Sequence, residues 1–156
     1  MKESGNNGVR GLQSRVVLKD GMAFDATVEG FPLQIDASDE HGGQGYGTQP
    51  KALVLTALAG CTAMDVISIL RKMRVQVDRF EVETQGVQSE EHPKVFKEIE
   101  ITYSLEGPEL PVTKVLRAVA LSEEKYCAVN AMLAPTAKMT RVVVLNGVVH
   151  SPSAVT

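Results

Sequence analysis

Tryptophan is absent from this chain of 156 residues, and aromatic side chains make up only 4% of it. That scarcity removes the base-stacking platform of a single-strand binder and the aromatic cage of a quaternary-cation site. A large charge of one sign is missing too. The net charge of -3 comes without the clustered Lys and Arg that a nucleic-acid surface needs, so nucleic acid is not expected as a partner. Histidine is confined to His41, His92 and His150, far apart in sequence, and there are two cysteines with no CxxC spacing. Such a donor set does not read as a structural zinc site, and neither metal nor cofactor is expected. The segment from Met1 to Ser14 is rich in Gly and Asn and lacks the apolar core of a secretory signal, so it reads as a flexible leader. A cytoplasmic setting is expected, in which thiols rest reduced and a permanent disulfide is disfavoured while a transient, catalytic one is not.

What is present suits one globular domain: 44% apolar and 22% charged residues over a length that closes a single core. Arg15 to Leu18 and Met22 to Val28 are β-type runs around an Asp20-Gly21 hairpin step, and Leu33 to Asp36 completes a small meander. Ser38 to Gly47, with four glycines, is a loop. It lacks the GK[ST] ending of a phosphate loop, since Lys51 follows Pro50 and precedes Ala52. Thr48 and Pro50 then start a long helix, Lys51 to Met73. Its apolar residues occupy every face, which implies burial in protein on nearly all sides, across a subunit interface. A membrane span is not expected, because Asp65 interrupts the run short of the roughly 20 residues a span needs. Val75 to Gly86 and Val95 to Leu105 alternate as a hairpin. Pro111 to Leu121 is an amphipathic helix, Cys127 to Leu133 a short one, and Arg141 to Val149 a last strand. The order βββ-α-ββ-α-α-β defines an α+β domain.

Cys61 and Cys127 carry the chemistry that can be read here. Cys61 lies three turns into the long helix, with Ala57 and Asp65 one turn away on the same face. It reads either as a small core residue or as a thiol to which Ala57, Ala59, Gly60 and Ala63 leave access. Cys127 opens a helix, where unpaired N–H groups, the helix dipole and nearby Lys125 favour a thiolate; the other reading is a core residue packed beside Tyr126. Asp65 is either a buried acceptor near Cys61 or a solvent-facing acid. With the cysteines 66 positions apart, spacing alone does not say whether they meet.

The run GTQPKALVLTALAGCTAMDVISILRKMR, followed by HPKVFKEIEITYSLEG and then LSEEKYCAVNAML, resembles the OsmC/Ohr family of thiol peroxidases over roughly Leu33 to Val144. The likeness is to the OsmC-like branch, whose two cysteine motifs fall here at Gly60 to Leu70 and Lys125 to Leu133. It implies antiparallel sheets around a long buried central helix, in an intertwined homodimer whose active sites draw on both subunits. It also implies that Cys61 attacks an organic hydroperoxide and becomes a sulfenic acid. Cys127 then condenses with it to a disulfide, and a dithiol reductant, lipoyl or thioredoxin-like, restores both. One departure stands out. Where the family's peroxidases read N-P-E, with a Glu that holds an activating Arg, this chain reads Gln49-Pro50-Lys51. The activating cation is then Arg15 or Arg10, or Lys51 as a point charge, or is missing. The resulting expectation is a cytoplasmic organic hydroperoxide reductase. The alternative is a redox-responsive or small-molecule-binding module of the same fold, with little turnover.

Overall fold

The computed structural model describes residues 11–150. The leader expected over Met1–Ser14 lies outside the described residues up to residue 10, as does Arg10. Residues 11–13 have no regular structure, and Ser14 already belongs to the first strand. The chain divides between Leu53 and Val54 into two compact units.

The first unit is an antiparallel meander of β1 (Ser14–Asp20), β2 (Ala23–Val28) and β3 (Phe31–Ile35). Gly21, at φ 53°, supplies the left-handed turn that the Asp-Gly step promised. Beyond β3 the glycine-rich loop folds over a buried carboxylate. Asp36 accepts hydrogen bonds from the backbone N–H groups of Ala37 (2.8 Å), Gln44 (2.9 Å) and Tyr46 (3.0 Å). The Gln44 and Tyr46 bonds hold its carboxyl below the usual carboxylate range. The loop's donors are therefore turned toward an internal anion. Gly43 and Gly47 are required by close packing instead: a Cβ there would strike the backbone of Ala37 and Gln34.

Helix α1, Pro50–Lys72, starts within the first unit and runs through the boundary. At 23 residues it is long and apolar enough to cross a membrane, so the expectation that Asp65 cuts the run too short does not hold. Its residues pack into protein nonetheless. Leu58, Thr62, Val66 and Leu70, spaced four apart, are the buried stripe, and the apolar ones among them enter the main core. Within one chain, burial is confined to this face, and Met64 on another face is 72% exposed.

In the second unit α1 is followed by the hairpin of β4 (Arg79–Gln88) and β5 (Phe96–Glu106). Alternation on β5 buries Ile99, Ile101, Tyr103 and Leu105. Helix α2 (Val112–Leu121) adds Val115, Ala118 and Val119 to the same core. A wide turn, Ser122–Tyr126, and the short α3 (Ala128–Leu133) lead to β6 (Lys138–Leu145) and β7 (Val148–His150). The sheet order is β4-β5-β6-β7. Strand β6 pairs parallel to β5, an exception in otherwise antiparallel sheets, because α2 and α3 form the crossover that carries the chain back to the same end. The expected last strand is a hairpin, broken at Asn146 and Gly147, both at positive φ.

Candidate functional site

Three residues from distant parts of the second unit converge. Helix α1 presents Cys61 and Asp65 one turn apart on one face. Cys127 arrives from the opposite end of the sequence by a specific local geometry. Its N–H bonds back to the carbonyl of Ser122, five residues earlier, at 2.7 Å. Such a widened turn is rare and occurs often at functional sites. It leaves Cys127 extended, at φ -73° and ψ 100°, as the N-cap of α3, where Sγ accepts the Asn130 N–H at 3.4 Å. The two sulfurs and a carboxylate oxygen of Asp65 lie within 4.8 Å of one another. Cys127 is buried, whereas Cys61 and Asp65 are half-buried. A Cβ built on Gly60, the residue before Cys61, meets nothing within 4 Å.

A chain of buried hydroxyls backs this trio. Ser122 Oγ donates to Asp65 Oδ2 at 3.2 Å, and Thr62 Oγ1 lies 2.9 Å from Ser122 Oγ and 2.8 Å from Tyr103 Oη. Tyr103 Oη lies 3.4 Å from Glu123 Oε1, and Glu123 Oε2 takes an Arg141 Nη1–H in an ion pair. Asn130 Nδ2 donates to the Glu123 carbonyl at 3.1 Å, which ties the wide turn to α3. From Asp65 to Glu123 there are four oxygen-to-oxygen contacts, while Ser122, Thr62 and Tyr103 supply one hydroxyl proton each. The run is complete when a carboxyl at one end carries a proton. Burial pushes the Glu123 carboxyl above the ordinary range against the opposing charge of Arg141, and burial likewise raises the Tyr103 hydroxyl.

The setting of Cys127 differs from the expected one. Burial, foremost, pushes its thiol up to about 11, opposed by the Asn130 N–H and reinforced by the hydrogen bond and charge of Cys61 and by the charge of Asp65. The helix-start effect is real but outweighed. Lys125 is exposed and lies 5.4 Å over the ring of Tyr126. At neutral pH Cys127 is a thiol, and of the two readings of Asp65, the acceptor near the cysteines is the observed one. Arg15, exposed on β1, and Lys51, exposed in the first turn of α1, belong to the first unit and are not part of the trio. Lys51 stands ten residues before Cys61, about 15 Å of helix rise.

Sequence reading passed over Thr62, Tyr103, Ser122, Glu123, Asn130 and Arg141. The available signal was weak: one threonine beside a cysteine in an apolar helix, and an arginine inside a β-branched strand.

Comparison with known proteins agrees with this architecture. The family model described as OsmC-like protein matches residues 42–141, a range that spans the boundary between the two units. Protein YhfA of Escherichia coli K12 is 36% identical over 130 residues, covering 83% of this chain and 94% of its own. The crystal structure of a hypothetical protein from Aquifex aeolicus superposes with a TM-score of 0.75 at 28% identity, covering 88% of this chain and 99% of that one. An organic hydroperoxide resistance protein OsmC from Legionella pneumophila shares the fold, with a TM-score of 0.67 at 14% identity, covering 88% of this chain and 99% of that one. The meander, the long helix bearing Cys61, the wide turn bearing Cys127 and the four-stranded sheet are elements of an OsmC-like fold, and the chain belongs to the OsmC family.

Proposed function

We propose that the protein is a homodimeric cysteine peroxidase, built as a single OsmC-like domain and acting in the cytoplasm, that reduces organic hydroperoxides with Cys61 as the attacking and Cys127 as the resolving residue. In the first step the Cys61 thiolate attacks the distal oxygen of ROOH. The S–O bond forms, the O–O bond breaks, and the alkoxide takes a proton to leave as ROH. In the second, Cys127 displaces the sulfenic oxygen, which leaves as water, and the two sulfurs are joined. A dithiol reductant, lipoyl or thioredoxin-like, then exchanges with the disulfide and becomes oxidised itself.

The observation that carries this reading is the convergence of the two sulfurs, within 4.8 Å, with Cys61 half-buried and Cys127 buried. Cys127 supports it further: a residue kept as a thiol has a proton to give to the leaving alkoxide and turns into a nucleophile by giving it. The apolar residues left uncovered on α1, Val54 and Met64 among them, suit a second copy.

A redox-responsive or ligand-binding module with little turnover is the second reading. It is favoured by burial and by the charge of Asp65, which keep Cys127 protonated, and by Lys51 where the family's peroxidases have Glu. Treating the Cys127→Ser variant with one equivalent of an alkyl hydroperoxide in the presence of dimedone separates the two. The peroxidase reading expects the adduct on Cys61; unmodified Cys61 after that treatment leaves the second reading.

A further inference from the structure

The same three groups that converge are all acids, and they converge without a cation. Among the described residues no Lys or Arg forms an ion pair with Asp65. We propose that Cys61, Asp65 and Cys127 form a three-ligand site for a thiophilic divalent cation of the zinc type.

The donor set selects the metal. Two sulfurs and one carboxylate oxygen suit zinc and cobalt(II), whereas calcium and magnesium take oxygen ligands. Tetrahedral coordination with Zn–S bonds of about 2.3 Å places two sulfurs about 3.8 Å apart. The two sulfurs, already within 4.8 Å, need to close by about 1 Å at most, a smaller movement than a disulfide of about 2.05 Å requires. Spacing of four on α1 lets Cys61 and Asp65 bind one ion from one helix face, and Cys127 completes the set from the start of α3.

The groups around the ligands argue for the same thing. Metal-binding side chains are held by outer hydrogen bonds, and each such bond counts for affinity. Asp65 is held by the Ser122 hydroxyl at 3.2 Å, and Ser122 in turn by Thr62 at 2.9 Å. Cys127 Sγ receives the Asn130 N–H at 3.4 Å, and the Asn130 side chain is fixed on the Glu123 carbonyl. Three protein ligands leave a fourth position for water or an added thiol. Binding converts two thiols and a carboxylate plus M²⁺ into an M(S)₂(O) centre and releases two protons to solvent, with no change of oxidation state. Once the sulfurs are joined as a disulfide they no longer serve as thiolate ligands, so metal and disulfide exclude each other.

Titrating the reduced, metal-free, full-length protein with cobalt(II) under anaerobic conditions tests this with no hydroperoxide present. Its outcome is therefore separate from that of the peroxidase reading. One cobalt per chain is expected, with thiolate-to-cobalt charge-transfer absorption, tetrahedral visible bands and release of two protons per ion; zinc displaces it. Oxidising the cysteines with diamide abolishes the bands. Asp65→Asn, which retains an acceptor for Ser122, weakens binding by more than the roughly 10–100-fold that loss of an outer partner costs. Cys61→Ser removes one of the two charge-transfer donors, and because Cys61 is half-buried that variant provides a check independent of the buried Cys127. Absence of thiolate bands in the reduced protein overturns the proposal. So does cobalt affinity unchanged by Asp65→Asn, or binding that survives diamide.

Discussion

Replacing Arg141 by Met removes the partner of Glu123 and leaves a carboxylate that is only 15% exposed beside a buried tyrosine. Removing one member of a buried ion pair costs roughly 3–5 kcal/mol. Glu123 and Arg141 keep 15% and 23% of their side-chain surface, so solvent screens the orphaned charge and about 2–3 kcal/mol is expected at neutral pH. For a chain of this size that is a fall in Tm of about 5–10 °C. Protonation limits the cost, and this fixes the sign of its pH dependence. The folded carboxyl already titrates above the unfolded value because burial outweighs Arg141, and without Arg141 it rises further. A group with a raised folded pKa gains stability as pH falls through that pKa toward the unfolded value. The deficit of Arg141→Met should therefore shrink as the pH is lowered from about 7 to about 5, toward the ordinary carboxylate range, because protonation neutralises the orphaned group. Thermal melts of wild type, Arg141→Met, Glu123→Gln and the double variant at both pH values form the assay. The double variant should recover most of the loss, with a coupling above about 1 kcal/mol. A deficit under about 0.5 kcal/mol, as for an exposed pair, or one independent of pH, would refute the reasoning.

Further outcomes follow from the same geometry. In the metal-free reduced protein, stability should fall as pH rises from about 9 toward about 11, because folding holds the proton on Cys127; melts of Cys127→Ala, which lack the group, should not show that slope. Light scattering after gel filtration should find two chains per particle, and Met64→Glu, which charges a residue 72% exposed on α1, should shift the population toward one chain; an unchanged mass would remove α1 from the interface. Gly47→Ala forces a Cβ onto the Gln34 backbone and should loosen the loop held by Asp36, seen as faster amide exchange at Gln44 and Tyr46, whereas unchanged exchange would contradict the packing.

Much of the fold is legible because it is local. Thr48-Gln49-Pro50 and the apolar run mark α1, and alternation marks β4 and β5, with Ile99, Ile101 and Tyr103 on the buried face. Misreadings arose where a local rule met a tertiary one. Val75 and Val77 alternate like a strand, yet the Val75 N–H closes α1 on Leu70 and Arg74 takes a positive φ, so the ladder begins at Arg79. The Asn146-Gly147 turn carries the chemistry recognised at Asp20-Gly21, hidden within a β-branched run. The parallel pairing of β6 depends on a crossover that no residue spacing records. The same division holds at the site. Cys61 and Asp65 share a helix face by spacing alone, but their meeting with Cys127 needs the sheet, the crossover and a widened turn. Burial, foremost, together with the proximity of Cys61 and Asp65, also reverses the titration of Cys127 from the one its helix position suggests.

The central claim is that Cys61 and Cys127 act as a pair, and intact and peptide mass spectrometry after one equivalent of an alkyl hydroperoxide tests it most directly. The account predicts a loss of two hydrogens and a peptide cross-linked between Cys61 and Cys127 within one chain. Two free thiols after that treatment, or a disulfide joining different chains, would contradict it.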